Sequence, residues 1–356
     1  MTLLTQPDDG VAPLLAGISK AKKSIEIAIF RFDRAEIEAG LKAAVARGVA
    51  VNAIIAYTNR GGEINLRKLE MRLLDVGVVV SRTASDLLRY HNKVMIVDRR
   101  DLYVLSFNFT HLDIDHSRGF GIVTRDAKTV REAVKLFQAD TLRHPYEAAL
   151  DTFVVSPANS RRVLAGLLSK AKKQLLIYDP KIDDLEMLRI LSERTKAGVE
   201  IKVIGKVGGG KAGLKVQQIP GLRLHTRTII VDRRYAFVGS QSLRRAELDS
   251  RREVGLIIRD SKMVSGLIRT FEADWERPAP EGLLVRPKAI KKAVKALVKE
   301  LSPLSPTVEE AVKQVTAHTE NATIDLDAIK ETVKEAVREI VSERVNEIVK
   351  DSLAQQ

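Results

Sequence analysis

Two short stretches of this chain repeat one chemical pattern. His91-Asn92-Lys93 is followed by four apolar residues and Asp98; His225-Thr226-Arg227 is followed by four residues and Asp232. Both run on into Arg-Arg, and each has a serine fifteen residues beyond its histidine, Ser106 and Ser240. Two histidines and two cations are the parts needed to cleave a phosphodiester without a metal. Cations beside the non-bridging oxygens stabilise the crowded, charged transition state. One imidazole attacks phosphorus, and a second protonates the leaving oxygen and then activates water or an alcohol.

The elements that must position these residues also come twice. LLAGISKAKKSIEIAIF over residues 14–30 matches LAGLLSKAKKQLLIY over 164–178. Each reads as a helix with apolar residues every three or four positions, a lysine-rich end and then a strand. Helical stretches follow at 35–47 and 185–196, then strands at 49–55 and 199–204, then glycine loops at 59–62 and 206–213. The first copy has an extra helical segment at 66–74. HNKVMIVDRRDLYVLSFNFT then aligns with HTRTIIVDRRYAFVGSQSL, and both copies continue through an acidic loop to a strand and a helix. Alternating strands and helices predict an α/β fold of two tandem modules, 1–150 and 151–278. Each is expected to be a mixed sheet flanked by helices, the two related by a pseudo-two-fold axis. Read as a strand, the motif sets His91 and Lys93 on one face, and likewise His225 and Arg227. Asp98 and Asp232 have the opposite parity, so they are expected to be structural anchors at a turn.

The duplicated pattern resembles the phospholipase D superfamily, marked by a repeated His-x-Lys-x-x-x-x-Asp motif, and the resemblance covers roughly residues 10–275. It implies two halves meeting at one metal-independent site and a covalent phospho-histidine. By the resemblance His91 is the nucleophile and His225 the general acid, with Lys93 and Arg227 holding the phosphate. Ser106, Asn108, Ser240 and Ser242 would hydrogen-bond it, and Glu253 would orient a histidine. The chain departs from the pattern in several places. Arg227 replaces lysine, Ser242 stands opposite Asn108, Leu105 replaces a glycine, and Gly119 lies where Glu253 sits in the second copy.

The remaining sequence narrows the options. The formal charge is +13, which favours an anionic partner. Cysteine is absent, which excludes disulfides and thiolate chemistry. No cofactor and no metal is expected. Residues 205–212 approach a nucleotide-binding loop, but Ala212 stands where a magnesium-binding hydroxyl is needed. A basic loop near the site mouth is expected there instead. His111, Asp113, Asp115 and His116 read as a polar loop beside the site rather than a metal cluster, and His144 and His318 as local structure. Lys20, Lys22 and Lys23 and their copies read as solvated helix ends. After Pro278 the composition shifts to a helical tail, 279–356. Within it Lys288–Leu301 plots as a basic amphipathic helix, a candidate peripheral contact with anionic membrane or a helix packed on the body. With no secretory signal and no apolar span, a cytoplasmic location is expected, peripheral to membrane through that helix. The first-choice substrate is a phospholipid, with nucleic acid as the alternative and a catalytically weakened phosphate- or membrane-binding module as a third reading. The sequence leaves the oligomeric state open.

Overall fold

The computed structural model describes residues 1–57, 64–209 and 213–278, the side chains of residues 64 and 65 excepted. Met1–Ala279 forms one compact unit. The expected tail 279–356, with Lys288–Leu301 and His318, lies outside the described residues, as do the glycine loop at 59–62 and residues 210–212 of the basic loop.

The first half runs β1 (Thr2–Gln6), α1 (Ala12–Lys20), β2 (Ser24–Ala28), α2 (Ala35–Ala46), β3 (Ala50–Ile55), α3 (Ile64–Asp75), β4 (Val79–Arg82), β5 (Arg89–Tyr90), β6 (Val94–Val97), β7 (Asp101–Leu105), α4 (His111–Asp115), β8 (Ser117–Thr124) and α5 (Ala127–Leu142). The second runs β9 (Phe153–Val155), α6 (Ser160–Ser169), β10 (Gln174–Ile182), α7 (Leu185–Lys196), β11 (Glu200–Val207), β12 (Lys215–Gln217), β13 (Arg223–Leu224), β14 (Arg227–Val231), β15 (Tyr235–Gly239), α8 (Arg245–Asp249), β16 (Arg251–Arg252), β17 (Val254–Ile258) and α9 (Ser261–Glu276). The extra helix of the first copy is α3. The sheets share one strand order: β1-β8-β7-β6-β2-β3-β4 matches β9-β17-β15-β14-β10-β11-β12. Each is mixed, with β2, β3 and β4 parallel and β6 antiparallel to β2.

Local chemistry sets the helix starts. Asp126 and Asp260, equivalent in the repeat, cap α5 and α9 by accepting from the Thr129 and Met263 backbone N–H. Asp184 caps α7 in the same way. Burial follows the strand period. In β6, Val94 and Ile96 enter the core shared with the second half, while Met95 and Val97 enter the core of the first. The shared core is built from Val104, Phe120 and Ile122 on one side and Tyr178, Leu256 and Phe271 on the other.

At the far end of each motif strand a two-residue turn reverses the chain. Arg100 N–H bonds the Val97 carbonyl across Asp98 and Arg99, and both turn residues have positive φ, 52° and 49°. Asp232 and Arg233 repeat this at 50° and 58°. This is the primed turn that suits hairpin twist, and without glycine it costs about 1–2 kcal/mol per residue. The aspartates offset that cost. Asp98 accepts from the backbone N–H groups of Lys22, Lys23 and Ser24, and Asp232 from those of Lys172, Lys173 and Gln174. Each motif aspartate therefore ties its hairpin to the strand beside it.

Candidate active site

Both histidines lie just before their strands, in links held by the opposite half. Strand β5, before His91, pairs with β16, and β13, before His225, pairs with the start of β8. His91 N–H donates to the Arg252 carbonyl at 2.8 Å, and His225 N–H to the Arg118 carbonyl at 3.1 Å. The expectation of a continuous strand through His-x-Lys is corrected. His91, Asn92 and Lys93 are not in a strand, because their backbone reaches across to the other module. Only Arg227 begins one.

The side chains converge. Glu253, fully buried, lies 2.8 and 3.0 Å from His91 Nδ1. Lys93, also fully buried, donates to the His91 carbonyl at 2.8 Å and lies 3.0 Å from His91 Nε2. Arg227 repeats the first contact, donating to the His225 carbonyl at 2.7 Å. Its Nε also donates to the Ser242 hydroxyl at 3.2 Å, so the two departures of the second copy meet each other. Asp113 stands 3.4 Å from His225 Nδ1, close enough for charge interaction but without a formed hydrogen bond. Each imidazole thus faces a carboxylate from the other half.

Electrostatics tie the groups into one site. Burial pushes the His91 imidazole well below its usual pKa, and Lys93, Arg227 and Arg89 push it further. Burial does the same to His225, against the pull of Asp113, and Arg223, Arg227 and Lys93 add to it. Each histidine therefore feels the cation of both motifs. Burial brings Lys93 down to about 7, although Glu253 opposes the shift. Burial raises the Glu253 carboxyl, against Lys93 and Arg251. For Asp113 burial acts upward, but His225, Arg223 and the Asn108 hydrogen bonds together hold it well below the usual carboxylate range. With these cations around it we take Glu253 as ionised. His91 then carries its proton on Nδ1 and keeps a lone pair on Nε2.

The expected phosphate-binding residues are placed unevenly. Ser106 is buried and its hydroxyl accepts from the Phe120 N–H; Ser240, also buried, bonds Val254 across the same strand pair of the second half. Asn108 donates from backbone and side chain to Asp113, and the Ser242 backbone donates to Glu247. Asp113 and Glu247 are equivalent by the repeat, five residues past Asn108 and Ser242. Gly119 itself brings no carboxylate; the one facing His225 comes from α4. A Cβ on Gly119 would lie 3.0 Å from the Phe107 side chain, and Asp113 in α4 faces His225 instead. The supposed acidic cluster disperses: His111 and Asp115 bond Arg34, while Asp113 turns to His225 and Arg223. Among the described residues no group of three or more His, Asp or Glu side chains could hold a metal ion. Sequence reasoning missed Phe30, whose ring meets His91 edge-on at 4.8 Å beneath Arg89. It also passed over Asp113, whose signal was its register with Glu247.

A family model described as cardiolipin synthase, PLD-like domain, matches residues 14–141 and 164–275, which is more than half of the chain. The chain belongs to this PLD-like family. The two matched segments are the two halves of the fold. Solved structures agree on the fold. The polyphosphate kinase from Porphyromonas gingivalis is 19% identical, with a TM-score of 0.64 over 84% of this chain and 55% of that one. The PLD-like chain thus spans about half the length of that kinase. The phosphatidylserine synthase of Haemophilus influenzae Rd KW20 is 12% identical, with a TM-score of 0.60 over 88% of this chain and 94% of that one. No curated protein sequence matches. Among the described residues no helix is long and apolar enough to cross a membrane.

Proposed function

We propose that this PLD-like protein is a metal-independent phosphodiester hydrolase or transferase that acts on phospholipids through a phospho-histidine. One observation carries the reading: two buried imidazoles, each buttressed by a carboxylate of the other half, share the charges of Lys93 and Arg227. His91 is the nucleophile, because its Nδ1 is the one firmly bonded to a carboxylate. Its Nε2 attacks phosphorus in line, and the P–O bond to the leaving group breaks as His225 gives that oxygen a proton. Water or an alcohol then attacks the phospho-histidine, yields its proton to His225, and the P–N bond breaks. His225 must be protonated at the start. In the empty site burial and three cations disfavour that, and the negative charge of an arriving phosphodiester, with Asp113, restores it. Lys93 and Arg227 stabilise the oxygens, with Ser242, which accepts from Arg227, and Asn108 as further phosphate donors.

Support for a lipid substrate is the family's description as cardiolipin synthase. The test is incubation in EDTA with anionic phospholipid vesicles and, separately, with single- and double-stranded DNA, with His91→Ala as control. Headgroup release or transfer that the substitution abolishes is expected. DNA cleavage without lipid turnover would replace the lipid reading with a nuclease. Silence on both with binding retained would mark a non-catalytic phosphate- or membrane-binding module.

A further inference from the structure

A cavity of about 1090 Å³ opens at the opposite end of β6 from His91. Its floor is apolar, formed by Leu4, Val97 and Val123 with the ring of Tyr103. Its rim carries Lys20, Lys22, Arg47, Arg100 and Arg125. The two carboxylates present are committed elsewhere: Asp98 to the backbone of Lys22–Ser24, and Asp101 to Arg125. The side chains of Lys20, Lys22 and Arg100 make no hydrogen bond, ion pair or ring contact with any described group. Tyr103 is 7% exposed, faces the cavity, and its hydroxyl has no hydrogen-bond partner among the described residues. That hydroxyl is open to the recess and can bond what enters it.

The second half is built differently at the equivalent places. Leu167 stands for Gly17, Phe237 for Tyr103, Ala197 for Arg47 and Tyr235 for Asp101. Gly17 is what admits Tyr103, since a Cβ there would collide with the phenol oxygen. In the second half Tyr235 lies under Arg259, 5.3 Å from its ring centroid, where the first half has the Asp101–Arg125 pair. Lys20, Lys22 and Arg100 recur as Lys170, Lys172 and Arg234, so what sets the first copy apart is the Tyr103 hydroxyl admitted by Gly17, together with Arg47 and Asp101.

We propose that this recess is a second ligand site, separate from the histidines, for a small anionic amphiphile. The anionic group, a phosphate or a carboxylate, meets Lys20, Lys22 and Arg100 and takes the Tyr103 hydroxyl, while an alkyl chain lies on Leu4, Val97 and Val123. The volume lies just above the range for small-molecule sites, roughly 300–1,000 Å³. The inference does not depend on the catalytic substrate.

Calorimetric titration of the full chain tests it with four probes: monoacyl lysophosphatidic acid and oleate, each below its micellar concentration, inorganic phosphate, and a neutral monoacylglycerol. Saturable binding of at least one anionic amphiphile is expected, with phosphate alone and the neutral lipid at least about tenfold weaker. Asp101→Tyr, which transplants the second half's ring, and the exposed pair Lys20→Glu/Arg100→Glu should each weaken binding about tenfold or more. Lys93→Ala, in the catalytic clamp, should leave it unchanged. Melting curves keep a misfolded variant from counting, and the charge-reversed pair, lying on the surface, remains as the readout if the tyrosine is not accommodated. Binding lost in Lys93→Ala but kept in the rim variants, equal affinity for free phosphate, or no amphiphile binding would each overturn the site.

Discussion

At the scale of single residues, two imidazoles of the same type stand in different surroundings. His91 is fixed by a short contact to Glu253, whereas His225 faces Asp113 at 3.4 Å with Nδ1 unbonded. With a substrate whose leaving group needs no proton, such as bis-p-nitrophenyl phosphate, His225→Ala should still release a first nitrophenolate and accumulate a phosphorylated enzyme. His91→Ala should release none. A burst and alkali-stable, acid-labile label experiment reads both, and equal loss in the two variants would reverse or remove the assignment. With an alkyl leaving group, His225→Ala should cost about 10²–10⁴-fold in turnover. Lys93 gives a pH test. Burial brings its ammonium down to about 7, so the free enzyme loses that charge as pH rises through neutrality. A fall of kcat/KM above about pH 7 is expected, since that ratio reports the free enzyme. Lys93→Arg, always charged, should move the falling limb to higher pH even where its geometry lowers the maximum. An unmoved limb would separate Lys93 from the profile.

At the scale of elements, the motif aspartates act at a distance from the chemistry. Burial acts upward on Asp98, but the N–H donors of Ser24, Lys23 and Lys22 together hold its carboxyl below the usual value, and Asp232 is held the same way by Gln174, Lys172 and Lys173. A depressed folded-state pKa stabilises the fold above the ordinary carboxylate value. That contribution is complete at neutral pH and disappears as pH falls from about 4 through the folded-state value. Asp98→Asn should therefore lower stability at pH 7 by about 1–3 kcal/mol, a loss that shrinks in acid. Denaturant midpoints at pH 7 and pH 3 check the sign. The turn itself was legible in Asp-Arg-Arg, and so was the anchoring role. The identity of the anchored segment was not. Lys22 and Lys23 read as solvated side chains, and their contribution is made by backbone N–H groups that no side-chain pattern marks.

At the scale of the whole molecule, the halves are joined by exchanged ion pairs. Arg118 of the first half grips Asp274 in α9, which also takes the Tyr178 hydroxyl. Arg252 of the second grips Asp140 in α5. The same two arginines present the carbonyls that hold His225 and His91. Removing one partner leaves a buried charge, so Asp274→Ala should cost about 3–5 kcal/mol. The apolar double replacement Arg118→Met with Asp274→Leu should recover much of it, as thermal melts of both would show. Activity should fall further than stability in Arg118→Ala, because the segment whose carbonyl holds His225 is no longer fixed by the side chain; parallel loss would reduce the arginine to a brace.

The sequence by itself determined the duplication, the main alternation of strands and helices, the pairing of His with a cation at His+2, and the anchoring aspartates. All of these are local or periodic, and a repeat shows them twice. The mixed sheet and the helix α3 were readable on the same grounds. Tertiary structure alone decided which carboxylate serves which histidine. Glu253 and His91 are 162 positions apart, and Asp113 lies in the opposite half from His225. The crossing follows from β5–β16 and β13–β8 pairing between halves, a relation set by how two sheets bury one common core. Gly119 read as a lost support because alignment compares positions. The fold compares places, and the carboxylate it sets 3.4 Å from His225 Nδ1 is Asp113.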